Sequence, residues 1–166
     1  MSPNYHTTRV YLSLGANLGE IENTLRRARI LINLCIGPIL KASSEYSTSP
    51  WGDENQETFV NQVLVINCPQ EPMQLLSKCQ SIERRLGKKT VRYWGPRAID
   101  IDILFFGKET INRPELVVPH PYLQDRKFVL IPLAQVNGDM IHPVFQETIE
   151  ALLAKCSDTG SVEELP

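Results

Sequence analysis

Two carboxylates, Asp100 and Asp102, sit two residues apart in an apolar, β-branched run that reads Ile-Asp-Ile-Asp-Ile-Leu-Phe-Phe from Ile99 to Phe106. Side chains alternate along a strand, so both carboxylates leave on one face while Ile99, Ile101 and Ile103 leave on the other. Their backbones lie roughly 7 Å apart, twice the rise per strand residue. At that distance two unit charges repel by roughly 2 kcal/mol at an effective dielectric of 20. Asp is also a poor strand former. A cation held above the pair offsets both costs, and two hard divalent ions about 3.5–4 Å apart suit it.

Positive charge precedes the pair. Arg84, Arg85, Lys88, Lys89, Arg92 and Arg97 all fall in residues 84–97, a stretch without an acid. A basic loop beside an Asp pair suits a metal-bound polyphosphate, in which metals bridge carboxylate and phosphate oxygens and guanidinium forks take the remaining oxygens. The same residues also fit a solvated basic loop beside an edge strand. No Gly-x-x-x-x-Gly-Lys-Ser/Thr motif is present, so a nucleotide would be held by side chains and metal rather than by a P-loop. Gly15-Ala-Asn-Leu-Gly19 reads as a strand-to-helix turn.

Further candidates lie elsewhere in the chain. Phe59 and Asn61 share one strand face: a ring can stack on a flat heterocycle, and an amide offers donor and acceptor to its edge. Taken alone, Phe59 fits a core position equally well. Gln80 and Glu83 are three residues apart on a helix and face one way, as an ordinary exposed polar face also would. His120 stands between Pro119 and Pro121. His6 and His142 carry no argument.

Length and composition bound the answer. A chain of 166 residues suits one domain, residues 1–166, with a real core. A net charge of −2 gives no general attraction to nucleic acid or to membrane. The 4 cysteines show no metal spacing and read as free packing thiols of a reducing compartment. No apolar run is long enough to span a bilayer, and the polar start lacks a signal-peptide core. The expectation is a cytoplasmic protein.

The elements that must position these residues follow from periodicity. Residues 9–14 alternate as a half-buried strand, and 20–35 carry a helical apolar stripe. Residues 39–46 read as a second strand, 47–58 as a long loop and 59–67 as a third strand. Pro72 opens a second helix that Gly87 stops, and 99–106 form the fourth strand. Short strands are expected at 110–111 and 116–118, and helices at 126–135 and 148–156, with Pro132 a blemish in the first of these. Residues 1–8 and 157–166 are expected to fray. Strand, helix, strand, strand, helix, strand is the ferredoxin-like α+β pattern, an antiparallel sheet with helices on one face and C-terminal additions.

The run Trp94-Gly-Pro-Arg-Ala-Ile-Asp-Ile-Asp-Ile-Leu-Phe-Phe-Gly107 resembles the signature of 6-hydroxymethyl-7,8-dihydropterin pyrophosphokinases, enzymes of folate biosynthesis, and the resemblance extends over residues 9–143. It implies an α+β core and transfer of pyrophosphate from ATP to the hydroxymethyl group of a reduced pterin. It implies two Mg²⁺ on Asp100 and Asp102, and phosphate contacts from Arg97 with Lys88 or Arg92. It gives the pterin to Thr48, Ser49, Trp51, Phe59 and Asn61, with Phe128 across the ring and Trp94 in a closing loop. It gives ATP to Gln80, Glu83, His120 and Arg126.

The chain departs from the family pattern in places. Many relatives carry Tyr and Pro where this chain has Phe59 and Ser49. Pro121 stands where an aromatic residue often follows the His. Lys88 replaces an Arg, and the loop before Trp94 is one residue shorter. The implied partners are ATP and the pterin, with neighbouring folate-pathway enzymes, and neither nucleic acid nor membrane. A two-metal nuclease or phosphatase could also use Asp-x-Asp, but needs further carboxylates or histidines nearby. A ferredoxin-like RNA-binding module would need RNP-type aromatics on a basic sheet, which the Asp pair opposes.

Overall fold

The computed structural model describes residues 6–51, 55–89 and 98–166. At its centre, β1 (Thr8–Ala16) pairs antiparallel with β4 (Phe59–Cys68) on one side and with β5 (Asp100–Phe106) on the other. Val10, Leu12 and Leu14 of β1, Leu64 and Ile66 of β4, and Ile101, Ile103 and Phe106 of β5 all face one way. The amphipathic helices α1 (Ile21–Cys35) and α2 (Pro72–Arg85) cover that face with Leu25, Ala28, Ile32, Leu75, Cys79 and Ile82. This is the expected α+β core with its two helices on one side of an antiparallel sheet.

The opposite face is covered along only part of its length. There Tyr11, Val63, Val65, Leu104 and Phe105 pack under α3 (Lys127–Asn137) and α4 (Ile149–Lys155). Leu104 and Phe105 both reach this face because a bulge shifts the β1–β5 register between Tyr11 and Leu12. Helix α3 runs through Pro132. The uncovered end of the same face carries Ser13, Gly15, Asn61, Asp100 and Asp102. The helical additions therefore wall the site instead of filling it.

Three expectations change. The strand expected at 39–46 is two: β2 (Ile39–Ala42) and β3 (Tyr46–Thr48), both paired with β4. Ser43 makes the break. Its N–H donates to Val63 O at 2.9 Å, and its Oγ accepts from Val63 N–H at 2.9 Å, so a side chain stands in for a ladder group. The first strand runs on through Gly15 and Ala16. The segment from Ser157 onward, expected to fray, instead adds a strand. After β6 (Ile111–Arg113) and β7 (Leu116–Val118), which form a two-stranded ladder, β8 (Val162–Glu164) pairs with β3 and extends the main sheet to the order β5-β1-β4-β3-β8. Residues 1–5 lie outside the described residues.

The cysteines Cys35, Cys68, Cys79 and Cys156 are all free thiols, as their spacing implied. Among the described residues no helix is long and apolar enough to cross a membrane.

Candidate active site

A cavity of about 730 Å³ opens at the uncovered end of the sheet. Thr48, Ser49, Trp51, Phe59, Asn61 and Phe128 line one part of it; Gln80, Glu83, Lys88, Asp100 and Asp102 line another; His120 and Arg126 complete the wall. These thirteen residues, all singled out in the sequence, thus share one space with Arg84 and Lys89 of the basic stretch. Arg92, Trp94 and Arg97 lie outside the described residues.

The floor is built by register. Gly15 pairs with Asn61 on one side and with Asp100 on the other, and Ser13 pairs with Asp102. A Cβ on Gly15 would lie 2.6 Å from Asn61 Oδ1, so only glycine lets that amide lie across the strand. Asn61 is 4% exposed, and its Nδ2 donates to Thr48 Oγ1 at 2.6 Å. Phe59 stands two residues along the same face.

The acidic part is set by the end of α2. Gly87, at φ +96°, closes a Schellman turn in which Lys88 N–H returns to Glu83 O at 3.0 Å and Gly87 N–H to Arg84 O at 3.1 Å. That turn aims the Lys88 side chain back along the helix. Its Nζ lies 2.6 Å from Asp100 Oδ1 and 3.0 Å from Glu83 Oε2. Burial alone would lower the Lys88 pKa, but the bonds and charges of Asp100 and Glu83 outweigh it and hold the pKa above its ordinary value. Glu83 also accepts the backbone N–H of Ile101 at 2.7 Å, tying α2 to β5 between the two aspartates. Burial raises the Glu83 pKa, and the Ile101 and Lys88 contacts oppose that rise. Asp102 is pushed up to about 6, first by burial and then by the charge of Asp100.

Two hard carboxylates close together, one held above its normal pKa by burial and by its twin and one already matched to an ammonium, fit a divalent cation well. Among the described residues no group of three or more His, Cys, Asp or Glu side chains gathers as a complete metal cage. Such a cation would draw its remaining ligands from water and phosphate, as Mg²⁺ commonly does.

The aromatic part holds one surprise. The Arg126 guanidinium lies 4.6 Å from the Trp51 ring centre, 5.4 Å from that of Tyr122 and 5.8 Å from that of Phe128. The resemblance gives Arg126 to ATP, yet here it sits over two rings that the resemblance gives to the pterin. His120 is fixed by its N–H, which donates to Leu104 O at 3.0 Å at the β5 bulge. Its Nδ1 accepts from Tyr122 N–H at 3.2 Å. Burial, then Arg126, lowers its pKa to about 4. It is therefore neutral near pH 7, with its proton on Nε2.

Sequence reasoning passed over Gly15, Ser13 and Tyr122. Gly15 was hidden because Gly-Ala-Asn-Leu-Gly looks like a turn. Tyr122, the residue after Pro121, brings an aromatic ring to this wall: its ring centre lies 6.3 Å from that of Trp51 and 6.2 Å from that of His120. The signal was an aromatic residue one place further along.

Residues 11–138 match the family model described as 7,8-dihydro-6-hydroxymethylpterin-pyrophosphokinase (HPPK). A 2-amino-4-hydroxy-6-hydroxymethyldihydropteridine pyrophosphokinase of Methylorubrum extorquens is 38% identical over 156 residues, covering 92% of this chain and 96% of the relative. The protein of the same name from Bacillus subtilis is 42% identical over 127 residues, covering 76% of each. Among solved structures, wild-type HPPK-DHPS of Plasmodium falciparum with STZ-DHP superposes with a TM-score of 0.77 at 18% identity. The match covers 93% of this chain and 44% of that one, so the chain spans less than half of that longer protein and the likeness is one of fold.

Proposed function

The chain belongs to the 7,8-dihydro-6-hydroxymethylpterin-pyrophosphokinase family, and we propose that it transfers pyrophosphate from ATP to the hydroxymethyl group of 6-hydroxymethyl-7,8-dihydropterin, giving AMP and the pterin diphosphate for folate biosynthesis. The observation that carries this reading is the junction inside one cavity. A face built for a flat heterocycle, Phe59, Asn61 and Phe128, adjoins a face built for metal-bound phosphates, Asp100, Asp102 and Lys88.

Each residue has work that follows from its chemistry. Phe59 and Phe128 take the two faces of the pterin ring, and Asn61, aligned by Thr48, reads its edge. Ser49 and Trp51 close the wall beside it. Asp100 and Asp102 would hold two Mg²⁺, which when bound lower the pKa of the attacking hydroxyl and neutralise the phosphates. Arg97, with Lys88 or Arg92, supplies positive charge to the transferred group and the leaving AMP. Gln80, Glu83, Arg126 and neutral His120 bind the nucleotide, His120 as an Nε2–H donor. Trp94, which the resemblance puts in a closing loop, would keep water from the phosphates. The free thiols agree with a cytoplasmic reaction, and neighbouring folate-pathway enzymes are the partners we assign.

The test is ATP consumption with and without the reduced pterin. Pterin-dependent release of AMP, with no ADP, is expected. ATP or nucleic-acid hydrolysis that ignores the pterin would favour a two-metal hydrolase.

A further inference from the structure

The segment after α4 touches the cavity wall at both of its ends. Asp158 spends both carboxylate oxygens on backbone donors: Oδ2 accepts the N–H of Lys127 at 3.0 Å, and Oδ1 accepts the N–H of Gly160 at 2.9 Å. Lys127 is the first residue of α3, where helix N–H groups lack partners and a carboxylate is favoured. Arg126 and Phe128, the cavity residues, flank it directly. Three residues later Ser161 and Ser49 form a reciprocal pair. Ser49 N–H donates to Ser161 O at 3.1 Å, and Ser161 N–H donates to Ser49 Oγ at 3.0 Å. Val162 then pairs with Thr48, the partner of Asn61. Gly160 lies against the wall, since a Cβ there would come within 2.8 Å of Ser49 Oγ. Residues 158–162 themselves lie beyond residues 11–138 that the family model spans.

We propose that residues 158–162 form a strap that sets the spacing of the pterin wall, with Asp158 and Ser161 as positioning residues that hold Phe128 and the Ser49–Trp51 loop at their working separation. The strap fixes the start of α3 through one carboxylate and the Ser49 loop through the Ser161 backbone, which accepts from Ser49 N–H and donates to Ser49 Oγ, so the two sides of the pterin slot are joined outside the slot. Asp100, Asp102 and Lys88 lie on β5 and after α2, away from the Lys127 and Ser49 contacts of the strap. Loosening the strap therefore weakens the pterin more than the nucleotide, which it reaches only through Arg126 beside Lys127. This rests on the reading above that Phe59, Asn61 and Phe128 take the pterin.

The experiment uses the full chain, with Asp158→Ala, Asp158→Asn and Gly160→Ala, and a chain stopped after Ser157. Reduced pterin is titrated at a saturating non-hydrolysable ATP analogue, the analogue is titrated alone, and amide exchange is followed at Ser49 and Lys127. Asp158→Ala should weaken pterin roughly tenfold, the scale of losing a charge-assisted hydrogen bond, with a smaller loss of analogue binding through Arg126 and both amides less protected. Asp158→Asn keeps one of the two acceptors and should fall between. Gly160→Ala should follow Asp158→Ala. Equal losses for both ligands, or unchanged pterin binding in Asp158→Ala, would overturn the strap. Wild-type protein that binds the analogue but no pterin would instead overturn the functional reading.

Discussion

The ammonium of Lys88 lies 2.6 Å from Asp100 Oδ1, held there by the Gly87 turn and by Glu83 at 3.0 Å. A cation of the chain's own thus stands beside one of the two carboxylates proposed as metal ligands. With nucleotide bound, phosphate oxygens compete for the same ammonium. On the proposed function Lys88 would have two tasks in sequence: it shields Asp100 in the free protein and supports the phosphates in the loaded one.

Lys88→Met should therefore split two measurements. Removing an ammonium next to Asp100 should tighten Mn²⁺ binding to the nucleotide-free protein, on the order of tenfold for one unit charge near the surface, as read by paramagnetic resonance of free Mn²⁺. Turnover with ATP and pterin should drop roughly ten- to a thousandfold, as when one charge-stabilising donor is lost. Lys88→Arg should retain turnover, because its fork can still reach carboxylate or phosphate. Mn²⁺ binding that weakens in Lys88→Met would contradict the shielding role.

The two aspartates should differ when neutralised. In the fold, burial and then the charge of Asp100 push the Asp102 carboxyl up to about 6 from its ordinary 3.8. Its charged form is therefore the costly one in the fold. The penalty is absent below the unfolded value, grows as pH rises towards about 6, and is full above it. Asp102→Asn should raise the metal-free melting temperature at neutral pH, and the gain should vanish in acid. Asp100→Asn removes the partner of Lys88 and should bring no such gain. Both should nearly abolish turnover with Mg²⁺. A melting temperature for Asp102→Asn equal to wild type at neutral pH would sink the argument.

Gly15→Ala tests the floor of the cavity. The new Cβ would come within 2.6 Å of Asn61 Oδ1, so the amide must move off Thr48 or the strands must part. Pterin affinity should fall about as far as in Asn61→Ala and Phe59→Ala, with the ATP analogue affected less. Separate titrations of the two ligands decide it. Equal loss of both would mean that the pterin is seated elsewhere.

Much of this site was legible because strand alternation is a hard rule. Asp100 and Asp102 had to share a face, and the same rule placed Phe59 with Asn61. The stripe of α2 carried Gln80 and Glu83 to the same cavity. What escaped notice depends on partners far along the chain. Gly15 looks like a turn until Asn61 and Asp100 flank it. Ser43 looks like strand until its hydroxyl takes a ladder N–H. The polar segment after Ser157 looks like a frayed end because its binding energy lies in backbone pairing with β3 and in one carboxylate, neither of which leaves an apolar pattern.

Acid should loosen this protein through two histidines. His142 is 2% exposed, its ring centre 4.4 Å from that of Phe145 and 5.4 Å from that of Phe105. Its Nδ1 accepts from the N–H groups of Val144 and Phe145, both at 3.2 Å. Protonation would place a hydrogen on Nδ1 facing two others, and burial lowers its pKa. His120 also accepts at Nδ1, and its pKa is lowered from 6.5 to about 4 by burial and by Arg126. A base with a lowered folded pKa is protonated first in the unfolded chain. Stability is therefore full above about pH 6.5, and the His120 share is lost as pH falls from there to about 4. Asn can keep the acceptor role of Nδ1 without titrating. His142→Asn and His120→Asn should be less stable than wild type near neutral pH, and each deficit should shrink as the pH is lowered. Urea midpoints at a series of pH values measure this. Variant and wild-type curves that stay parallel from neutral pH down to about 4 would show that neither imidazole resists protonation in the fold.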